Sequence, residues 1–200
     1  MNLNLSGLYA ITDEVLTPDS SVVEKVKEAL GKGVKIFQYR NKSAKDGEIF
    51  EVVKELRDLI DKENGLFILN DRVELAEKVK AHGVHVGEDD LDISEVKKIF
   101  SGFVGVSCYG DIDRAKEMEK SGADYVAFGS FFKSPTKPKS YTVPLEVLSK
   151  AKNELSIPIC AIGGINSENI SKIREHNPDI ISLVSGIFSG DISENIENLS

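Results

Sequence analysis

The stretch LYAITDEVLTPDSSVVEKVKEALGKGVKIFQYRNK, residues 8–42, contains the pattern on which the fold depends. It begins with a short apolar run at 8–12 and ends with a second apolar run at 34–39. Between them, Val22 and Val26 begin an apolar helical face whose opposite side is charged. Short runs rich in β-branched and aromatic residues are typical of buried parallel strands, and apolar residues at helical spacing indicate a helix. The stretch is therefore predicted to be a strand–helix–strand unit.

The same alternation continues along the rest of the chain. Six further apolar runs follow, separated by charged segments with helical spacing: LFIL (66–69), GVHV (83–86), VGVSC (104–108), YVAF (125–128), IPICAI (157–162) and IISLV (180–184). Eight such units in 200 residues predict parallel βα repeats that close into a barrel. The alternative is an open doubly wound sheet, which would show a glycine fingerprint in its first turn, where this chain has Thr12-Asp13-Glu14. We predict an α/β fold, a single (β/α)8 TIM-barrel domain over residues 1–200, with its active site at the carboxyl ends of the strands.

Composition and charge exclude several classes of protein. The chain has 25 Lys and Arg against 33 Asp and Glu, for a net charge of −8 at pH 7. Binding to nucleic acid or to a membrane surface needs an excess of Lys and Arg, so neither partner is expected. No apolar run approaches the ~20 residues that span a bilayer, and the first residues lack a signal-peptide pattern. Cys108 and Cys160 lie far apart in apolar runs, which favours a reducing cytoplasm.

Polar residues are concentrated where the predicted strands end, and the amino ends of the strands show little comparable. Gln38, Arg40 and Lys42 alternate after the second run, so on an extended chain they point the same way. Two cations and an amide in one place suit a polyanion such as a diphosphate. The alternative is that they are barrel-interior groups paired with acidic neighbours.

Two carboxylates end adjacent strands. Asp71 follows the third run and Asp90 the fourth, and Asn70 stands beside the first of them. Mg²⁺ takes oxygen ligands, often one or two carboxylates together with phosphate oxygens, so this pair beside a cationic site indicates Mg²⁺. The alternative is that each Asp only caps a helix.

A second anion site is predicted after the last two strands. Gly163-Gly164 follows the seventh run and Ser185-Gly186 the eighth. In barrels these loops and a short helix N-terminus often bind a phosphate group through backbone N–H groups, although two tight turns would give the same pattern. The longest loop, roughly 129–143, has the length of a lid or binding loop and contains Lys137. His85 lies inside the fourth run and is predicted to be a hydrogen-bonded core residue rather than a catalyst.

Seven segments, in order, resemble the thiamine phosphate synthase family. The resemblance runs from Leu8 to about Phe188, and the segments are QYRNK, ILNDRVELA, GVHVGEDDL, GVSCY, GSFFKSPTKP, AIGGI and LVSGI. They are similar to the family's QxRxK, INDR, GVHLGQxDL, GVS, GxxFxTxTKP, AIGGI and VVSAI. The resemblance implies a transferase that joins 4-amino-2-methyl-5-hydroxymethylpyrimidine diphosphate to a thiazole phosphate, carboxylated or plain, and yields thiamine phosphate and pyrophosphate. It also implies a dissociative mechanism, in which pyrophosphate leaves before the thiazole nitrogen attacks a pyrimidine-stabilised carbocation.

The resemblance assigns roles to the matching positions. The pyrimidine diphosphate would be held by Gln38, Tyr39, Arg40, Asn41, Lys42, Asn70, Ser107 and Lys137. Mg²⁺ would be held by Asp71 and Asp90. The thiazole phosphate would be held by Ser134, Pro135, Thr136, Gly164, Val184 and Ser185. The catalytic residues that stabilise the departing pyrophosphate would be Arg40, Lys42, Ser107 and Lys137.

The chain departs from the family pattern at three positions, and two other functions remain open. Asn41 replaces an acidic residue, Ser134 replaces Thr, and Glu88 replaces Gln, which would add a carboxylate near the metal. The first alternative is a thiazole tautomerase, an isomerase of the same superfamily, which lacks the full metal and diphosphate set and carries a His where Ser130 stands here. The second is a non-catalytic phosphate-binding barrel. Small-molecule substrates are expected as partners, and a homo-oligomer is compatible with the sequence.

Overall fold

Eight parallel strands close into a barrel in chain order. The structure, a computed structural model, describes residues 5–133 and 142–199. The strands are β1 Gly7–Ile11, β2 Ile36–Tyr39, β3 Leu66–Asn70, β4 Gly83–Val86, β5 Phe103–Tyr109, β6 Tyr125–Phe128, β7 Ile159–Ile162 and β8 Ile180–Leu183. Each pairs in parallel with its neighbours, and β1 also pairs with β8. The predicted (β/α)8 barrel is confirmed, and the strand bounds differ from the predicted runs by at most two residues.

Helices cover the outside of the barrel. Those in the described ranges are α1 Val22–Gly31, α2 Asp46–Lys62, α3 Val73–Val79, α4 Ile93–Ile99, α5 Ile112–Lys120, α6 Glu146–Glu154, α7 Ile170–Arg174, α8 Ser185–Phe188 and α9 Ile192–Asn198. The buried side of α1 contains Val22 and Val26, as its spacing predicts. Across the part of the chain that the structure describes, no helix has the length and apolarity of a membrane span.

Alternate strand residues fill the inside of the barrel, and two glycines make room for aromatic rings. A Cβ on Gly83 would lie 2.2 Å from the ring of Phe103, its partner on the next strand. A Cβ on Gly105 would lie 2.0 Å from the ring of Tyr125 in the same way. The rings therefore occupy the space that side chains at these glycines would need, because the interior is close-packed.

The amino ends of the strands are joined by two matching carboxylates. Asp124, just before β6, accepts the backbone N–H of Val104 at 2.7 Å and the ammonium of Lys97 at 2.7 Å. Asp179, just before β8, accepts the N–H of Ile159 at 2.8 Å and contacts the ammonium of Lys152 at 2.8 Å. Both groups lie at the end of the barrel opposite the predicted site, so their role is stability.

We expect Asp179→Ala to lower the free energy of unfolding by about 1–3 kcal/mol, because it removes hydrogen bonds made by a charged group. The change should leave turnover unaltered. Asp113→Ala is the matched control, since that side chain is 97% exposed and its substitution should stay within about 0.5 kcal/mol. Urea unfolding of both variants measures the difference. Equal stability of the two variants would contradict a structural role for Asp179.

Candidate active site

The loop after β2 carries the predicted cations, Arg40 and Lys42, and is held in place by hydrogen bonds to the β1–α1 loop. The backbone N–H of Arg40 donates to Oγ1 of Thr12 at 2.9 Å. The carboxylate of Glu14 accepts the N–H of Lys42 at 2.6 Å and the hydroxyl of Ser43 at 2.6 Å. The Ser43 hydrogen bond is the main cause that lowers the pKa of Glu14. This carboxylate therefore fixes the path of the backbone between the two cations.

Arg72 holds the same loop from the other side. Its guanidinium donates to the carbonyl oxygen of Asn41 at 2.7 Å and to that of Ala44 at 2.5 Å, and it also contacts Asp46. Neither Arg72 nor Glu14 is among the site residues that the sequence predicts. Each is a charged residue within three positions of the end of a strand, at the end of the barrel where the other polar residues lie.

Neighbouring residues at the end of β2 and in the loop after it face different ways. Gln38 points into the barrel, where its side-chain nitrogen donates to the hydroxyl of Tyr9 at 2.6 Å. Tyr39 lies in the layer between the barrel and the helices, and its hydroxyl donates to Asp19 at 2.6 Å. In this structure Tyr39 therefore borders the predicted site through its backbone rather than its ring. Asn41 also turns toward Asp19, at 3.4 Å.

Asp71 and Asp90 lie together beside Lys42. The ammonium of Lys42 is 3.1 Å from Oδ2 of Asp71, and the carboxyl of Asp90 lies close enough to Asp71 to affect its pKa. Oδ2 of Asp90 also accepts the N–H of Gly87 at 2.6 Å. Burial and then the Asp90 contact raise the pKa of Asp71, and Lys42 opposes that shift. The alternative interpretation, a cation paired with an acidic neighbour, is thus seen for Lys42, whereas within the described ranges no ion pair involves the guanidinium of Arg40.

Neither carboxylate caps a helix, so the capping interpretation is wrong for both. The residue that precedes α3 is Arg72, and α4 is capped by Asp92, which accepts the N–H of Ser94 at 2.8 Å. Asp71 itself has a left-handed backbone, with φ at 61°, a conformation that Asp tolerates better than most residues. Among residues 5–133 and 142–199 no group of three or more metal-type side chains occurs. A pair of carboxylates nevertheless suits Mg²⁺, which often takes only one or two from the protein.

Asn70 and Ser107 line the inner edge of the site. Asn70 is the last residue of β3, is buried, and lies beside His85 in register. Oγ of Ser107 is 2.9 Å from Nε2 of His85, whose other ring nitrogen is 2.9 Å from the hydroxyl of Tyr125. The prediction that His85 is hydrogen-bonded in the barrel interior is confirmed, and the structure adds that its partner is a predicted site residue.

The loops after β7 and β8 touch each other. Gly163 and Gly164 have φ of 107° and 66°, and α8 begins at Ser185. A Cβ on Gly186 would lie 2.6 Å from the carbonyl oxygen of Ile165, so these backbones approach closely. Within the described residues, no hydrogen bond engages the backbone N–H of Gly164 or of Ser185. Val184 lies against the barrel interior just before them.

The long loop after β6 is described only at its two ends. The N–H of Val143 donates to the carbonyl oxygen of Ser130 at 2.8 Å, so these ends meet. The predicted site residues Ser134, Pro135, Thr136 and Lys137 lie outside the described residues.

Comparison with known proteins identifies the family. The family model described as thiamine monophosphate synthase matches residues 8–187. The chain belongs to this family. A thiamine-phosphate synthase from Wolinella succinogenes is 40% identical over 195 residues, covering 96% of this chain and 90% of the relative. One from Thioalkalivibrio sulfidiphilus is 38% identical over 187 residues, covering 92% and 89%.

A solved structure agrees in fold and sequence. The thiamine phosphate pyrophosphorylase from Pyrococcus furiosus superposes with a TM-score of 0.88 at 38% identity, covering 98% of this chain and 94% of that one. Membership of the thiamine monophosphate synthase family thus rests on almost the whole barrel.

One departure from the family's pattern, Glu88, stands two residues before Asp90 in the chain. Glu88 lines a cavity of about 620 Å³ next to the β5–α5 loop, together with Tyr109 and Arg114. The carboxylate at Glu88 forms no part of the described Asp71–Asp90 contact. Ser130, where the tautomerase branch carries a His, donates its hydroxyl to the carbonyl oxygen of Phe132 at 2.8 Å.

Proposed function

We propose that this protein is a thiamine phosphate synthase that joins 4-amino-2-methyl-5-hydroxymethylpyrimidine diphosphate to a thiazole phosphate and releases pyrophosphate. The observation that carries the proposal is the cluster of Lys42, Asp71 and Asp90 at the barrel mouth. Arg40 stands two residues before Lys42 in the same loop. A diphosphate is the substrate group that needs both cationic side chains and a metal-binding carboxylate pair. Membership of the thiamine monophosphate synthase family supports the same reaction.

The carboxylate pair fits a bound Mg²⁺. Burial is the main cause that raises the pKa of Asp71, and the neighbouring Asp90 adds to it, because two close carboxylates repel each other when both are ionised. A divalent cation held by Asp71 and Asp90 would remove the repulsion, and it would supply positive charge against the diphosphate. With Asp71 holding the metal, the ammonium of Lys42 would be free to contact a phosphate oxygen.

The remaining residues would stabilise the leaving group and hold the pyrimidine. Arg40, Lys42, Ser107 and Lys137 would present hydrogen-bond donors to an anion, and such donors speed a reaction when the charge they face increases in the transition state. Gln38, Tyr39, Asn41 and Asn70 complete the proposed pyrimidine diphosphate site. Because pyrophosphate leaves before the thiazole nitrogen attacks, no general base is needed to form the new bond.

The thiazole phosphate is proposed to bind at the other side of the mouth. The backbone N–H groups of Gly164 and Ser185 are free within the described residues and lie in two loops that touch. Backbone N–H groups at a helix start favour a phosphate. Val184 would contact the ring, and Ser134, Pro135 and Thr136 of the long loop would complete the site.

The purified protein tests the proposal directly. We expect thiamine phosphate only when the pyrimidine diphosphate, the thiazole phosphate and Mg²⁺ are all present. Isomerisation of a thiazole substrate without coupling would instead favour the tautomerase. Binding of either phosphate with no product in any mixture would favour the non-catalytic phosphate-binding barrel.

We also propose that the chain acts in the cytoplasm as one domain. The two cysteines are buried and unpaired, which supports this location.

Gly164→Ala should raise the KM for the thiazole phosphate at least about tenfold and change that for the pyrimidine diphosphate little. A Cβ there would lie 2.5 Å from the carbonyl oxygen of Lys133, at a backbone φ of 66° that disfavours a side chain. Gly190→Ala is the control, because its φ is 79° but nothing lies within 4 Å. Steady-state kinetics with each substrate varied measures both constants. An equal rise in both KM values would show that the phosphate has been placed wrongly.

A further inference from the structure

A chain of polar side chains crosses the barrel interior, and both of its ends belong to the proposed site. Nε2 of Gln38 donates to the hydroxyl of Tyr9 at 2.6 Å, and that hydroxyl is 3.1 Å from the hydroxyl of Tyr125. The Tyr125 hydroxyl is 2.9 Å from Nδ1 of His85, and Nε2 of His85 is 2.9 Å from Oγ of Ser107. The chain thus links strands β2, β1, β6, β4 and β5.

The hydrogens available on these five side chains determine which atom donates in each hydrogen bond. The side-chain nitrogen of Gln38 can only donate, so the oxygen of Tyr9 accepts from it. The oxygen of Tyr125 is the other described partner of Tyr9, so the buried hydrogen of Tyr9 is satisfied only if it points there. The hydrogen of Tyr125 then points to Nδ1 of His85. A neutral imidazole that accepts at Nδ1 carries its hydrogen on Nε2, which donates to Oγ of Ser107. The hydroxyl hydrogen of Ser107 is left to point away from His85.

Both tyrosine hydroxyls keep their hydrogens at neutral pH. Tyr9 is 1% exposed and Tyr125 is fully buried, and burial is the main cause that raises both pKa values far above the ordinary range. A buried hydroxyl without a partner is costly, so each of these groups is held in its bond. The ring and the hydroxyl of Tyr125 both lie over Gly105, so the space that a side chain there would need is taken by this residue.

We propose that Tyr9 and Tyr125 are positioning residues, which orient Ser107 to donate its hydroxyl hydrogen to the leaving pyrophosphate and Gln38 to offer its carbonyl oxygen to the pyrimidine substrate. The inference rests on the proposed function. The two tyrosines are expected to affect different parts of the site. Tyr125 acts on Ser107 through the ring of His85, whereas Tyr9 acts directly on Gln38.

Two phenylalanine variants separate these effects, because each keeps the ring and removes one hydroxyl. In Tyr125→Phe, Nδ1 of His85 loses its donor, so the ring hydrogen can move to Nδ1 and Nε2 can accept from Ser107. We expect kcat to fall about tenfold or more, with the KM for the thiazole phosphate unchanged. In Tyr9→Phe, Tyr125 can still donate to His85. We expect kcat to change little and the KM for the pyrimidine diphosphate to rise about threefold or more.

The control is Ser182→Ala, which removes a fully buried hydroxyl from the same barrel interior. That hydroxyl forms no hydrogen bond with any of these five side chains. It should leave both kinetic constants unchanged. The position of the ring hydrogen is read independently of activity, by ¹⁵N NMR of the imidazole in the ligand-free protein, assigned with a His85→Asn variant. We expect it on Nε2 in the wild type, Tyr9→Phe and Ser182→Ala, and at least partly on Nδ1 in Tyr125→Phe.

A wild-type imidazole with its hydrogen on Nδ1 would overturn the proposal, as would phenylalanine variants that match Ser182→Ala in kinetics. If Tyr125→Phe does not fold, the proposal is still tested by the position of the ring hydrogen in the wild type and by the kinetics of Tyr9→Phe. An inactive wild type with the Nε2 tautomer would refute the proposed function but leave the hydrogen-bond direction standing, so the two failures are distinguishable.

Discussion

Asp71→Asn and Asp90→Asn are each expected to reduce kcat/KM by at least about 10²-fold and to leave the fold intact, a loss of the size seen when one charge-stabilising group is removed from an active site. Each variant takes away a carboxylate that would hold Mg²⁺ beside the diphosphate. The exposed Asp89 stands in the same loop and has no described hydrogen bond, so Asp89→Asn is the matched control. It should retain wild-type activity and the same Mg²⁺ dependence.

The stability of Asp71→Asn provides a second test of the carboxylate pair. The folded pKa of Asp71 is raised, so ionisation of this group costs stability as the pH rises through its unfolded pKa. At neutral pH a neutral isostere removes that cost, although it also loses the contact with Lys42. We therefore expect the metal-free variant to melt no lower than the wild type. We also expect Mg²⁺ with pyrophosphate to raise the Tm of the wild type only. Full activity at limiting Mg²⁺ in both variants would contradict the metal site.

Arg40→Met should lower the rate of the bond-breaking step by about 10²-fold or more, because it removes a preorganised donor to the departing pyrophosphate. The backbone at Arg40 is fixed by Thr12, and Glu14 and Arg72 hold the rest of the loop, so the guanidinium is presented from a rigid support. Single-turnover measurements at saturating substrate report this step directly.

Two variants separate charge from geometry at this loop. Arg40→Lys keeps the charge but loses the planar donor pair, so it should recover only part of the rate. Lys45→Met removes a cation from the exposed end of the same loop and should have no effect on the step. A normal single-turnover rate in Arg40→Met, with only weaker diphosphate binding, would show that Arg40 anchors the substrate and does not stabilise the transition state.

Local pattern was sufficient to predict the strands and the end of the barrel where the site lies. Each strand is a short apolar run, and residues such as Gln38 and Asn70 that end strands must meet at one mouth once the barrel closes. The pairing of Asp71 with Asp90 follows from the same rule, since β3 and β4 are neighbours. Helix capping was a reasonable alternative for Asp71, and it failed because the backbone turns left-handed at that residue before α3 begins.

Contacts between distant loops could not be predicted in this way. Glu14 and Arg72 hold the β2–α2 loop from two other loops, and nothing in their own surroundings marks that role. The interior chain depends on closure of the whole barrel, because Tyr9 and Tyr125 are 116 residues apart. His85 could be recognised as a hydrogen-bonded residue inside a strand, but its link to Ser107 depends on the register between β4 and β5.

The most direct test of the two-site account is a crystal structure of the protein with Mg²⁺, pyrophosphate and thiamine phosphate. We predict pyrophosphate against Arg40 and Lys42, with Mg²⁺ on Asp71 and Asp90. The phosphate of thiamine phosphate should accept hydrogen bonds from the backbone N–H groups of Gly164 and Ser185. Pyrophosphate bound instead in the cavity beside Glu88 and Arg114, or Mg²⁺ bound without either Asp71 or Asp90, would contradict the account.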